Sequence, residues 1–212
     1  LAVLTALPFG AADGICHTFE QYSFINLNNI NEIAREGDSV WCAAMGGVVR
    51  WDARDGSCET WTERDGLIWK DVYAVAVDRD GVKWFGYRFH EGVTSFDGVS
   101  WKTYYEPKGH IETITVDHDN VKWFCGHNGA TSFDGSVWTY HPETQPEVWA
   151  AAVDRNNEKW FGTYQGSVLR YNGKKWSRSP QEIFMDWVLD IVFDRNGKTW
   201  IATGGGLWSY DG

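Results

Sequence analysis

The sequence predicts an all-β chain folded as a β-propeller, and three observations predict it. A tryptophan recurs at Trp41, Trp84, Trp123, Trp160 and Trp200, a spacing of roughly 40 residues, which is the length of a four-stranded blade. An aspartate stands six residues before each of the last four, at Asp78, Asp117, Asp154 and Asp194, while the first copy has Arg35 there. Turn residues follow each aspartate: Asp80-Gly81, Asp119-Asn120, Asn156-Asn157 and Asn196-Gly197. A second turn follows an aromatic, at Phe96-Asp97-Gly98, Phe133-Asp134-Gly135, Tyr171-Asn172-Gly173 and Tyr210-Asp211-Gly212. Asp and Asn bond their own backbone just ahead and Gly accepts positive φ, so both signals read as tight antiparallel turns.

Residues 72–105 show one whole unit. Val72 to Val77 is apolar and rich in β-branched residues, so it reads as a strand. The Asp78-Arg79-Asp80-Gly81 turn leads to a second run, Val82 to Tyr87, centred on Trp84. A looser loop, Arg88 to Gly92, precedes Val93 to Phe96, and Asp97-Gly98 turns the chain into Trp101 to Tyr105. That is a four-stranded antiparallel meander, and the chain repeats it.

In chain order, Leu1 to Leu7 is apolar and Pro8 to Ala12 is small and turn-like. Leu1 to Ala12 reads either as the tail of a signal peptide or as an ordinary terminal strand. Asp13 to Phe19 matches Asp55 to Trp61, so it is a fourth strand without three strands of its own. Blades then occupy about 30–62, 72–105, 111–141, 148–178 and 188–212, within one domain spanning 1–212. The last blade stops where its fourth strand should begin. Unpaired strand edges invite aggregation, so the expectation is a five-bladed ring in which Ile15 to Gln21 pairs with Leu207 to Tyr210. The rival is an arc of a larger ring. No stretch has a convincing amphipathic helical period, so no helix longer than one turn is expected.

Composition narrows the function. The chain has 212 residues and a formal net charge of −10, which argues against a nucleic-acid partner, since phosphate binding needs a basic surface. It argues equally against docking on anionic lipid. No run approaches the ~20 apolar residues needed to span a bilayer. Cys16, Cys42, Cys58 and Cys125 fall at unrelated places in the repeat; they read as free or buried thiols, with one disulfide as the alternative.

The chemical motifs are sparse. The Asp-x-Asp/Asn turns lack the third carboxylate and the distal Glu of a calcium loop. The six histidines form no HxxxH or HxH pair; a metal site could only assemble across blades, from residues such as His90 and His127, and none is expected. No Gly-x-Ser-x-Gly elbow occurs, and no glycine loop opens a helix to cradle phosphate. The tryptophans of the second strands, and Trp61, Trp101, Trp138 and Trp176 of the fourth strands, are expected in the core. Aromatic and polar residues that the repeat does not require lie in loops on one face, at the mouth of the central channel. Among them, Trp69, Arg88, His90, His127, Trp149, Tyr164 and Trp187 are the candidate ligand-binding residues, because aromatic faces beside a few polar groups suit sugars and other small organic molecules. No catalytic residue and no cofactor is expected.

The repeat resembles the two-component regulator propeller family, whose unit reads as Asp-x-x-Gly, Trp and a small residue, a Gly-rich loop and an aromatic-Asp. Thr62-Glu63-Arg64-Asp65-Gly66-Leu67 running into Val72 to Trp84 matches it, as does Asp194 to Leu207. The likeness covers about Ile30 to Gly212, and Cys125-Gly126-His127-Asn128 departs where that family prefers Gly-Thr. It implies a non-enzymatic sensor propeller, periplasmic or extracellular, taking a small molecule or carbohydrate at the channel mouth or docking another protein domain. Streptogramin lyases and lactonase-like propellers carry similar repeats, and Val77 to Gly86 fits them. That enzymatic alternative needs a His/Glu or metal constellation, for which His90, Glu91 and His127 are the candidates. A third alternative is a scaffold propeller of a longer chain.

Overall fold

Trp and Phe stand side by side in the second strands at Trp84-Phe85, Trp123-Phe124 and Trp160-Phe161. Neighbouring residues of a strand point to opposite faces, so each of these three strands sends a large ring both ways. The computed structural model describes residues 29–179 and 186–211 and shows what those rings do. Blade 1 comprises β1 (Ile30–Glu36), β2 (Ser39–Ala44), β3 (Gly47–Asp52) and β4 (Cys58–Trp61). Blade 2 comprises β5 (Val72–Val77), β6 (Lys83–Tyr87), β7 (Val93–Phe96) and β8 (Trp101–Tyr104). Blade 3 comprises β9 (Ile111–Val116), β10 (Lys122–Gly126), β11 (Gly129–Phe133) and β12 (Trp138–His141). Blade 4 comprises β13 (Val148–Val153), β14 (Lys159–Thr163), β15 (Val168–Tyr171) and β16 (Trp176–Arg178). Blade 5 comprises β17 (Val188–Phe193), β18 (Thr199–Thr203) and β19 (Gly206–Tyr210). Each is an antiparallel meander with its strands in sequence order. Among the described residues the helical content is one 3-10 turn, Pro142–Thr144.

The second-strand tryptophan faces the next blade and the following residue faces the previous one. Trp84 packs with Ile111, Ile114 and Phe124 of blade 3, and Phe85 packs with Trp41 and Val48 of blade 1. Trp123 meets Phe161 at 5.4 Å between ring centroids. Trp41, Trp84, Trp123 and Trp160 are buried. The fourth-strand tryptophans are not core as expected: Trp61, Trp101, Trp138 and Trp176 are half-buried. The outermost strand has a neighbour on one side only, so its ring lies flat on the third-strand aromatic, with Trp101 on Phe96 and Trp138 on Phe133, both at 4.4 Å. The opening residues of the next blade press so close that Gly86 and Gly162 have no room for a side chain; an added Cβ would meet Ile111 and Val188 within 2.5 Å.

The six-residue spacing from Asp to Trp has a physical cause. Asp78 Oδ1 accepts the N–H groups of Asp80 and Val82, and its Oδ2 accepts Trp84 Nε1–H at 2.9 Å. Asp117 does the same for Asp119, Val121 and Trp123. The lysine preceding the next blade's tryptophan completes the clamp. Lys122 Nζ lies 3.7 Å from Asp78 and Lys159 Nζ 2.9 Å from Asp117, each stacked over the previous blade's tryptophan ring. Burial opposes ionisation of Asp117, but Lys159 and the donated N–H groups hold it below the usual carboxylate range. Blade 1 keeps the device through Glu36, one residue beyond Arg35: Glu36 accepts Trp41 Nε1–H at 2.8 Å and pairs with Lys83 at 3.3 Å. Blade 5 has Thr199 in place of lysine. There the buried Trp160 Nε1 has no hydrogen-bond partner among the described residues, and Arg170, bonded to Glu158, covers the indole instead. The expected Ile15 to Gln21 strand and the Leu1 to Ala12 segment lie outside the described residues. Among the described residues, Cys42, Cys58 and Cys125 form no disulfide with one another.

Candidate functional site

The first strands stand side by side, β1 on β5, β5 on β9, β9 on β13 and β13 on β17. Each carries a β-bulge at the same place. Val72 pairs with Tyr87 and Ala74 with Gly86, which leaves Tyr73 as the extra residue. By the same register Asn31, Glu112, Trp149 and Leu189 are extra in the other four blades. A bulge re-aims a side chain that a regular pleat would bury between sheets. All five extra residues line one cavity of about 490 Å³. It is also bordered by Glu32, Thr113 and Asp190, from the next position along β1, β9 and β17, and by Arg88.

Arg88 and Trp149, both expected at the site, line this cavity. Arg88 donates Nη1–H to Tyr73 Oη at 3.2 Å, stacks over that ring, and holds its Nε 3.2 Å from Glu112 Oε1. His127 Nε2 lies 3.2 Å from the same oxygen. That oxygen is buried and receives no well-aligned N–H among the described residues, so there the Glu112 carboxylate is held by charge rather than by directed bonds. His127 also packs on His110 at 4.8 Å. Trp149 bonds Glu147 and gathers the other two expected aromatics, Tyr164 at 4.9 Å and Trp187 at 5.8 Å. Tyr164 and Trp187 stack at 5.6 Å with 16° between planes, and both are more than a third exposed. With Trp149, which lines the cavity, they form an exposed aromatic platform. Trp69 and His90 sit apart from the cavity lining. They stack on each other at 5.7 Å, and Trp69 packs on the blade 1–blade 2 core. His90 Nδ1 meets the Glu91 carbonyl oxygen at 2.7 Å, but no contact among the described residues joins either to His127, and no cluster of three or more of their His, Cys, Asp and Glu side chains could hold a metal ion.

Glu32 escaped the sequence reading. Its Oε2 accepts Val75 N–H of blade 2 at 2.7 Å and its Oε1 accepts the Thr113 hydroxyl of blade 3 at 3.1 Å. Burial, and to a small extent the Asp190 charge, push it up to about 7 against the two hydrogen bonds. Tyr73, Glu112 and Asp190 escaped too, because the first run of each unit reads simply as a strand. A signal was present. Five copies open on a branched aliphatic, Ile30, Val72, Ile111, Val148 and Val188, and the next residue differs in kind every time. A constant packing position followed by a variable one marks where the repeat stops serving the core.

Neither a known family's sequence profile nor a curated protein matches the chain. Solved structures do. The extracellular domain of BT3049 from B. thetaiotaomicron, described as a hybrid two-component system, superposes with a TM-score of 0.76 at 16% identity over 90% of this chain. A virginiamycin B lyase from Staphylococcus aureus with quinupristin gives 0.72 at 16% over 89%. PorZ, a surface component of the type-IX secretion system of Porphyromonas gingivalis, gives 0.70 at 18% over 86%. The chain spans 29% of the BT3049 chain, 72% of the lyase and 32% of PorZ. It therefore shares its β-propeller fold both with extracellular domains of two-component systems and with streptogramin-type lyases.

Proposed function

We propose that this propeller is a non-enzymatic ligand-sensing module, extracytoplasmic like the two-component domains it superposes on, which takes a small organic molecule or carbohydrate at the mouth of its channel. The observation that carries the reading is the set of five bulges. Stability alone does not require every blade to turn one residue out of its core packing, or those five residues to differ. An aromatic platform beside a channel of hydrogen-bonding groups suits a ligand with one apolar face and several polar edges. The experiment is a saccharide and small-metabolite panel followed by tryptophan fluorescence, with and without EDTA. A saturable, EDTA-insensitive response that Arg88→Ala or Trp187→Ala weakens supports the module. A panel without response favours docking of another protein domain. Binding abolished by EDTA, with turnover, would support the lyase alternative.

A further inference from the structure

Glu32 differs in situation from the other carboxylates of the channel. Glu112 is matched by Arg88 and His127. Asp190 is exposed and accepts its own neighbour's N–H, from Ile191. Glu32 leaves blade 1 to bond blades 2 and 3 at once, and no cation pairs with it among the described residues. The ionisable groups nearest it are Tyr73 on β5, Arg88 beyond β6, Glu112 on β9, the buried Cys125 thiol on β10 and Asp190 on β17. Arg88, the one permanent cation among them, is engaged by Glu112 and Tyr73.

We propose that Glu32 is a proton switch of the channel, gaining or losing one negative charge at the cavity wall so that the site's occupancy by a charged ligand is linked to pH. This rests on the ligand-binding reading above. The geometry names the atom. Val75 N–H occupies Oε2 in either state, because a backbone donor cannot become an acceptor. The proton therefore resides on Oε1, and the Thr113 hydroxyl turns from donor to acceptor when it arrives. Release of that proton adds a second unpaired carboxylate to a wall that already holds Asp190. A cationic ligand group is then favoured and an anionic one opposed. A residue held near neutrality makes the change over the range where most other carboxylates stay ionised.

The test is a carbon NMR titration of the full chain labelled in its glutamate carboxyl groups, with the Trp149 indole N–H as a second probe on the cavity wall. One glutamate is expected to titrate near 7, against 4.5 for an ordinary one. That resonance should vanish in Glu32→Gln, and the Trp149 signal should shift with the same midpoint in the natural chain and stay flat in the variant. Asp190→Asn, which keeps Glu32 in place, should lower the midpoint, and it serves if Glu32→Gln does not fold. All glutamates titrating together near 4.5, or a Trp149 signal indifferent to the Glu32 midpoint, overturns the switch. The two readings fail separately. A saccharide that binds a chain whose Glu32 titrates normally sinks the switch alone. A normal switch in a chain that binds nothing from the panel sinks the ligand reading, and the linkage with it.

Discussion

At the scale of single residues, the energy sits where rings and charges are shared between blades. Trp123 is buried between blades 3 and 4, so Trp123→Ala should cost about 3–5 kcal/mol. Trp187, 45% exposed on the platform, should cost about 1 kcal/mol or less on the same change. Urea unfolding of the two variants checks the contrast, and equal losses would remove the platform assignment. Lys159→Ala would strand the buried Asp117 charge, at a cost of about 3–5 kcal/mol. Lys159→Ala together with Asp117→Asn should recover part of it. His141 supplies a pH test. It stands where blade 2 has Tyr104, stacked on Trp123 at 4.7 Å and bonded to Ser132. Burial holds its pKa below the ordinary 6.5, partly offset by Glu143. The unfolded chain then binds the proton more readily, so the His141 contribution to stability falls as pH drops below about 6.5, opposite in sign to that of Glu32. His141→Tyr should remove that contribution, read as a melting-temperature difference from the natural chain that changes between pH 7 and 5.

At the scale of elements, the first strand of each blade does two things that a regular strand could not. From blade 2 on, its opening Ile or Val packs on a small residue of the preceding blade's second strand: Ile111 on Gly86 and Val188 on Gly162, with Val72 clustered with Ala43 and Val148 with Cys125. Its bulge then turns the next side chain into the channel. The bulge residue should therefore be dispensable to the blade and needed at the cavity. Trp149→Ala should leave the melting temperature nearly unchanged and weaken any ligand that stacks there. Deleting Trp149 altogether removes the residue that the partner strand does not pair, so Val148 and Ala150 stay opposite Thr163 and Gly162, and that variant too should melt cooperatively. Loss of the cooperative melt on deletion would show that the bulge itself holds the blade.

At the scale of the whole molecule, Glu32 ties three blades together at the wall of their common channel. Its pKa, raised to about 7 by burial, means that the folded chain binds its proton more tightly than the unfolded one. The stabilisation is complete below about 4.5 and is lost as pH rises through 7. Glu32→Gln removes that dependence. Relative to the natural chain the variant should gain stability between pH 5 and 8, by at most about 3 kcal/mol, with little difference at pH 4.5. A melting-temperature difference that stays constant across that range would refute the assignment.

Much of this was legible in the sequence, because a blade is a local object. Its strands are neighbours along the chain, its turns announce themselves through Asp, Asn and Gly, and Trp-Phe pairs state that both faces are buried. Arg88, Trp149, Tyr164 and Trp187 could be picked out as residues that the repeat does not need. What only the tertiary structure decided lies between blades. The Asp–Trp spacing became a clamp once Lys122 and Lys159 arrived from the next blade, and Glu36 took over where Arg35 had seemed to break the pattern. Trp69 and His90 turned to each other rather than to the channel. Glu32, Tyr73 and Glu112 became wall residues through bulges that the variable position after each opening Ile or Val marks without explaining, since an extra residue is defined by the partner strand it fails to pair with. Distance along the chain sets the limit: a side chain's partner a few residues away is written in the spacing, and one some 40 or 80 residues away exists only after the blades have packed.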